Sequence, residues 1–267
     1  VTRIAERFAA LEPDQGKAFI AYLTAGDPNL ESTHDMVLAL VAAGADIIEL
    51  GVPFSDPIAD GPVIQRATDR ALRGEVTLPA ILRLVARLRT RTEAPIVLMS
   101  YYNPLLRFGL ERLAREARDS GVDGILASDL TVEESAEYLE SMHGAGIDTV
   151  FVVAPTSSPA RQARIAATST GFLYAVSRTG VTGEQSELPA DLVEFVRSLR
   201  RQTRKPIAVG FGVSTPEQVR AVWAVADGVV VGSALVHAVE RGLEAGAGRE
   251  DLARLVGDAV RRLRDRG

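Results

Sequence analysis

The chain reads as a (β/α)8 barrel, and three observations predict it. Eight short, β-branched apolar runs are spread along 267 residues, each is followed by a stretch of helical periodicity, and no Pro-rich, Ser-rich or low-complexity linker divides them. Strands that are apolar along their whole length belong to a parallel sheet covered by helices, and closing such a sheet removes both exposed edges. An open doubly wound sheet would instead place a glycine-rich turn straight after the first strand, with an acid about twenty residues on. Thr24-Ala25-Gly26-Asp27-Pro28 stands there and lacks that spacing.

The elements follow in order. Val1 to Leu11 sets Ile4, Phe8 and Leu11 at helical spacing among charges, which predicts an extra N-terminal helix and no signal peptide. The strands are expected at Phe19–Leu23, Ile47–Leu50, Ile96–Met99, Gly124–Ala127, Thr149–Val153, Phe172–Val176, Ile207–Val209 and Gly228–Val231. Between them lie patterns such as Leu78, Ile81, Leu82, Val85 and Leu88, which cover one helix face, and additional helices are expected after the second and eighth strands. Thr131 with Glu134 and Thr215 with Gln218 fit capping boxes, while Pro159 after Ser158 and Pro216 after Thr215 suit first helical positions. Gly44-Ala45-Asp46, Gly121-Val122-Asp123 and Gly146-Ile147-Asp148 each precede an apolar run, with glycine as the left-handed residue that stops a helix.

Composition narrows the function. Apolar residues make up 46% and charged residues 24%, ordinary for a globule, and a chain of this length buries roughly 30,000 Å² on folding. The expectation is one domain over residues 1–267. Cysteine is absent, which removes disulfides, thiolate catalysis and Cys-type zinc sites and suits a cytoplasmic address. The net charge of −5 comes without a basic stripe, so neither nucleic acid nor a membrane surface is expected as a partner. Small molecules are.

A barrel keeps its chemistry on the loops after the C-terminal ends of its strands. After the seventh strand comes Gly210-Phe211-Gly212-Val213-Ser214, and after the eighth Gly232-Ser233 leads into a helix starting near Ala234. After the sixth comes Ser177-Arg178-Thr179-Gly180-Val181-Thr182-Gly183-Glu184. Glycines let backbone N–H groups approach an anion and a helix start adds its dipole, so three such loops together point to a phosphorylated substrate, although each alone reads equally as a turn.

The second strand carries the sharpest signal. Side chains alternate along a strand, so Glu49 shares the inward face with Ile47 at the catalytic end. Burial there would raise its pKa toward neutrality, as a general acid or base requires; the alternative is an outward Glu or one paired with Arg. Asp60 and Asp56 stand in turn contexts, but the prolines around Asp60 could hold a second carboxylate near the first. Asp56 reads as a loop or interface residue. Lys17 and Lys205 each precede a strand, at the face away from the chemistry, so Schiff-base catalysis and pyridoxal phosphate bound to this chain are not expected. His34, His143 and His237 fall far apart on helical segments and read as surface or packing residues, with no metal site.

The run Glu49-Leu50-Gly51-Val52-Pro53-Phe54-Ser55-Asp56-Pro57, continuing through Ala59-Asp60-Gly61-Pro62, resembles the signature of the tryptophan synthase α subunit family. The resemblance extends over nearly the whole chain through Thr24-Ala25-Gly26-Asp27-Pro28, Tyr101-Tyr102-Asn103-Pro104, Ser177-Arg178-Thr179-Gly180-Val181-Thr182-Gly183 and Gly210-Phe211-Gly212. It implies a carbon–carbon lyase that cleaves indole-3-glycerol phosphate to indole and glyceraldehyde 3-phosphate. In that family the acid matching Glu49 shuttles protons, and the acid matching Asp60 hydrogen-bonds the indole N–H. Tyr22, Tyr101 and Tyr174 match pocket positions, and Gly183, Gly212, Gly232 and Ser233 match phosphate-holding ones. The loop carrying Thr182 closes over the substrate, and Thr182 then orients Asp60. The resemblance also implies a β subunit in an α2β2 complex that receives indole and carries the pyridoxal phosphate, with no cofactor in this chain. One departure is Thr131, where the family commonly has proline. A free-standing lyase releasing indole, a sugar-phosphate isomerase or epimerase, and a silent regulatory subunit are the other readings of the sequence.

Overall fold

Continuous β-branched runs satisfy their backbone by pairing sideways, and here they pair into a closed ring. The computed structural model describes residues 1–11, 16–176, 190–210 and 212–265. In chain order the elements are α1 (Arg3–Leu11), β1 (Ala18–Thr24), α2 (Leu30–Ala42), β2 (Ile47–Gly51), α3 (Pro62–Arg73), α4 (Leu78–Leu88), β3 (Ile96–Ser100), α5 (Tyr102–Phe108), α6 (Leu110–Ser120) and β4 (Gly124–Ala127). Then come α7 (Ala136–Gly144), β5 (Asp148–Val153), α8 (Pro159–Thr168), β6 (Leu173–Val176), α9 (Ala190–Gln202), β7 (Ile207–Gly210), α10 (Pro216–Val225), β8 (Gly228–Val231), α11 (Ser233–Glu244) and α12 (Arg249–Arg264).

The strands pair in sequence order, all parallel, and β8 closes on β1 with Ala18 opposite Gly228. This is the expected (β/α)8 barrel with its N-terminal helix and its doubled helices after β2 and β8. The pair after β3 goes beyond the expectation, because Gly109, at φ +92°, separates α5 from α6.

Alternation along each strand sorts the core into two layers. Ile47 joins Ile20, Val97, Leu126, Val150 and Val230 inside the barrel, whereas Ile48 and Leu50 face the helices. From the N-terminal end α1 plugs the ring with Ile4 and Phe8, the Phe8 ring lying 6.0 Å from that of Phe172. Gly44, Gly121 and Gly146 all take positive φ, as their place at helix ends requires.

The helix starts test the capping expectations. Thr215 and Gln218 form the full box, and Ser158 accepts from the Arg161 N–H at 3.3 Å. The Thr131–Glu134 box does not form, since α7 begins only at Ala136 and Thr131 meets Glu134 through side chains at 3.4 Å. A turn intervenes that buries Val132 and Ser135, and the Ser135 hydroxyl donates to the Val132 carbonyl at 3.0 Å.

At the N-terminal rim, acids in front of β2, β4 and β8 tie strands together. Asp46 accepts the Phe19 N–H at 2.7 Å, Asp123 the Ile96 N–H at 2.7 Å and Asp227 the Ile207 N–H at 2.9 Å. Arginines complete each: Arg7 and Arg264 on Asp46, Arg3 and Arg89 on Asp123, Arg200 on Asp227. Lys205 lies at this end, as expected, donating to the Ala166 and Ala167 carbonyls of α8 and to that of Ser169. Lys17 is there too, 3.8 Å from Asp227. Among the described residues no helix is long and apolar enough to cross a membrane.

Candidate active site

Strand parity turns Glu49 inward, between Tyr22 on β1 and Val97 on β3 in register. Its side chain is 1% exposed, and neither carboxyl oxygen has a hydrogen-bond partner among the described residues. The alternative of an outward or Arg-paired Glu is thereby overturned. Burial alone pushes the Glu49 carboxyl up to about 8, because a low-dielectric interior disfavours the ionised form. Such a group is a neutral acid at neutral pH and still gives and takes a proton there.

Asp60 sits half-buried on the loop between β2 and α3. Burial raises its carboxyl and a hydrogen bond from Tyr101 partly offsets that. The same phenol accepts the Ala59 N–H at 2.9 Å and its ring lies 5.3 Å from that of Phe54. Tyr101 therefore fastens this loop to β3 from forty residues away, and burial chiefly pushes its own hydroxyl up to about 12. Asp56 is exposed, its carboxylate accepting from its neighbour Ser55 and its carbonyl from the Ile58 N–H, a loop residue as read.

Tyr22 and Tyr174 wall off the space beside Glu49. Burial above all raises both phenols; ionised Asp60 and Glu49 raise them further, while a hydrogen bond with Thr24 works the other way at Tyr22. Each needs a glycine on the adjoining strand: a methyl at Gly51 would stand 2.1 Å from the Tyr22 hydroxyl, and one at Gly210 would stand 2.5 Å from that of Tyr174. These two glycines are selected by close approach, not by turn geometry.

Above the tyrosines opens a cavity of about 650 Å³. One wall is apolar, with Met99, Ile64 and Val230 beside the aromatic rings, and Asp60 reaches into it. Gly212, Ser214, Gly232 and Ser233 form its glycine–serine rim. Gly212 has φ +78°, and Gly232 caps α11, whose first N–H groups lack intrahelical acceptors and attract an anion. Thr182 and Gly183, with the rest of Ser177–Glu184, and Phe211 lie outside the described residues.

A larger cleft of about 950 Å³ opens at the N-terminal end beside α1 and α10. Its carboxylate, Asp227, is paired, and it lies away from the strand ends that carry the orphaned acid. The smaller cavity is the one with chemistry.

Some parts of the site escape a sequence reading. Met99, Ile64, Val230 and Ser214 line the cavity without distinguishing motifs, although Ser214 stands two residues after Gly212. His237 is exposed, as its surface reading has it, and also lines the cavity, a placement for which its spacing of four from Ser233 is the available signal. His34 and His143 fit that reading, bonded to Asp35 and Thr149. Among the described residues no three His, Asp or Glu side chains converge as metal ligands. An ionic brace was equally hidden. Arg66 grips Glu240 at 2.6 and 2.8 Å, while Arg70 reaches Glu240 at 3.2 Å and Asp27 at 2.7 and 2.9 Å. It ties α3, which begins just after Asp60, to α11, which begins at Ser233. Arg66 above all holds the Glu240 carboxyl down to about 2.

A parallel barrel with an orphaned inner carboxyl, a second acid on a fastened loop and a glycine–serine anion rim defines an enzyme of the acid–base class. Known proteins agree with that class and narrow it. The family model described as tryptophan synthase alpha chain matches residues 8–261. The tryptophan synthase alpha chain of Solibacter usitatus is 50% identical over 247 residues, 92% of each chain, and that of Geobacter sulfurreducens is 50% identical over 250 residues, 94% of this chain and 95% of that one. Among solved structures, tryptophan synthase subunit alpha from Legionella pneumophila superposes with a TM-score of 0.91 at 34% identity, covering 99% and 97% of the two chains. A Pyrococcus furiosus structure concerned with mutual activation of the tryptophan synthase a2b2 complex superposes at 0.86 and 43% identity, covering 92% and 97%. The chain belongs to the tryptophan synthase alpha chain family.

Proposed function

We propose that the chain, acting as one domain, cleaves indole-3-glycerol phosphate to indole and glyceraldehyde 3-phosphate. The observation that carries the reading is Glu49, a buried carboxyl without a partner at the catalytic end of β2. As the neutral acid it protonates the ring carbon that bears the glycerol chain, which turns indole into a leaving group. Asp60 accepts the indole N–H and stabilises the cation so formed. The Glu49 carboxylate then takes the proton of the adjacent glycerol hydroxyl, the C–C bond breaks, its electron pair returns to the ring, and the hydroxyl carbon leaves as the aldehyde. The acid is regenerated, so the protons balance within one residue.

The apolar wall with Tyr22 and Tyr174 suits the indole, with Tyr101 acting from behind through Asp60, and Gly212, Gly232 and Ser233 suit the phosphate, a role that the motif resemblance extends to Gly183. The resemblance of the motif that carries Thr182 assigns that residue to orienting Asp60. The likeness to the a2b2 structure supports a β subunit as the partner, and we infer from the resemblance of the motifs that this partner receives the indole and carries the pyridoxal phosphate. A cytoplasmic setting fits this biosynthetic role.

The test is indole release from indole-3-glycerol phosphate, followed with the chain alone and with a β subunit plus serine. Slow release alone with strong acceleration by the partner is the expected result. Fast release alone identifies a free-standing lyase, and no indole under either condition overturns the assignment.

A further inference from the structure

A phosphate dianion entering this cavity meets the Asp60 carboxyl and needs positive charge somewhere on the rim. Among the described residues that line the cavity, His237 is the one whose side chain can become a cation. It stands four residues after Ser233 on α11, and helical side chains lean toward the helix N-terminus, so its ring covers the turn that presents Ser233. Its Nδ1 meets Glu240 Oε2 at 3.4 Å, which leaves Nε2 for the cavity. Glu240 is itself anchored by Arg66 and Arg70. The other charges around the ring are Asp27 behind Arg70, Glu244 near Arg66, and Asp60 across the cavity.

We propose that His237 is a specificity-determining residue of the phosphate subsite, steered through Nδ1 by Glu240 and donating from Nε2 to the substrate phosphate. The Arg66–Arg70–Glu240 brace then acts twice, tying α3 to α11 and also fixing the imidazole that reads the anion. This rests on the assignment of Gly212, Gly232 and Ser233 to phosphate. Because the ring is half exposed, at 50%, its effect is moderate, about three- to tenfold in affinity.

The test uses sn-glycerol 3-phosphate and indole as separate probes, with KM and kcat for indole-3-glycerol phosphate, in the wild type, His237→Ala and His237→Lys at pH 6.5 and 8.5. The Ala variant should bind glycerol 3-phosphate about three- to tenfold more weakly at pH 6.5 and raise KM likewise, with kcat and indole affinity unchanged. Between the two pH values the wild type should lose more affinity than the Ala variant, the phosphate's own titration being common to both. Lysine should restore affinity and abolish that extra pH dependence. Equal glycerol 3-phosphate binding by wild type and Ala, or Lys as weak as Ala, would overturn the proposal. A wild type that binds indole but not glycerol 3-phosphate would overturn the phosphate subsite itself and His237 with it.

Discussion

The two ends of the barrel treat buried carboxyl groups in opposite ways. At the N-terminal rim Asp46 is buried, yet one oxygen takes the Phe19 N–H and Arg264 while the other takes Arg7. At the C-terminal end Glu49 is equally buried and has no partner at all among the described residues. Both lie on or beside the same strand, three residues apart. A paired carboxylate contributes by joining strands and helices, whereas an orphaned one is kept neutral by its surroundings at a cost to stability once the pH rises. Among the described residues the N-terminal rim has one departure, Asp148, whose Oδ2 is buried without a partner there, close to the α1 plug.

This contrast predicts opposite outcomes for removing an acid at each end. Glu49→Gln should lower turnover by about 10³-fold or more while KM changes little, since general acid–base catalysis is worth roughly 10²- to 10⁴-fold for each of the two proton transfers. The same variant should be more stable than the wild type at pH 8. Burial raises the folded pKa from 4.5 to about 8, so the native state holds a proton that the unfolded chain releases. The stability this confers is full below about 4.5 and is lost as the pH climbs through 8. At about 1.4 kcal/mol per tenfold change in proton affinity, the Gln variant should gain on the order of 4 kcal/mol at pH 8 relative to its standing at pH 4. Denaturant unfolding at the two pH values checks this.

Asp46→Ala should do the reverse, costing about 2–4 kcal/mol by stranding the Phe19 N–H and two arginines, with kcat of the folded fraction within twofold of wild type. Gly51→Ala comes next. Its methyl collides with the Tyr22 hydroxyl, so a loss of about 1–3 kcal/mol is expected, with a weaker grip on indole because Tyr22 must move into the cavity. Calorimetry and indole titration separate the two effects. The smallest effect expected is that of Tyr101→Phe, which frees the Ala59 N–H and Asp60 from their anchor; kcat should fall about fivefold, with stability within about 1 kcal/mol.

The strands were legible because each is apolar on both faces, and the structure extends most of them by a residue or so, as in Ala18–Thr24 for β1. β6 is the one that starts later, at Leu173, with Phe172 left to meet Phe8 below the sheet. Glu49 was legible for an equally local reason, since strand parity alone turns it inward beside Ile47. What stayed hidden depends on distance in the chain. Tyr101 meets Ala59 and Arg66 meets Glu240 only after the ring closes, and no spacing encodes those contacts. Thr131 shows the converse: its box pattern is present, but burying Val132 and Ser135 delays the helix.

The most direct test of the central claim is the titration of the Glu49 carboxyl itself, followed by carbon NMR with labelled glutamate and assigned through its loss in Glu49→Gln. A midpoint near 8 is the predicted result. A midpoint near 4.5 would mean that Glu49 is an ordinary ionised carboxylate at neutral pH, and the contrast between the two ends of the barrel would fail with it.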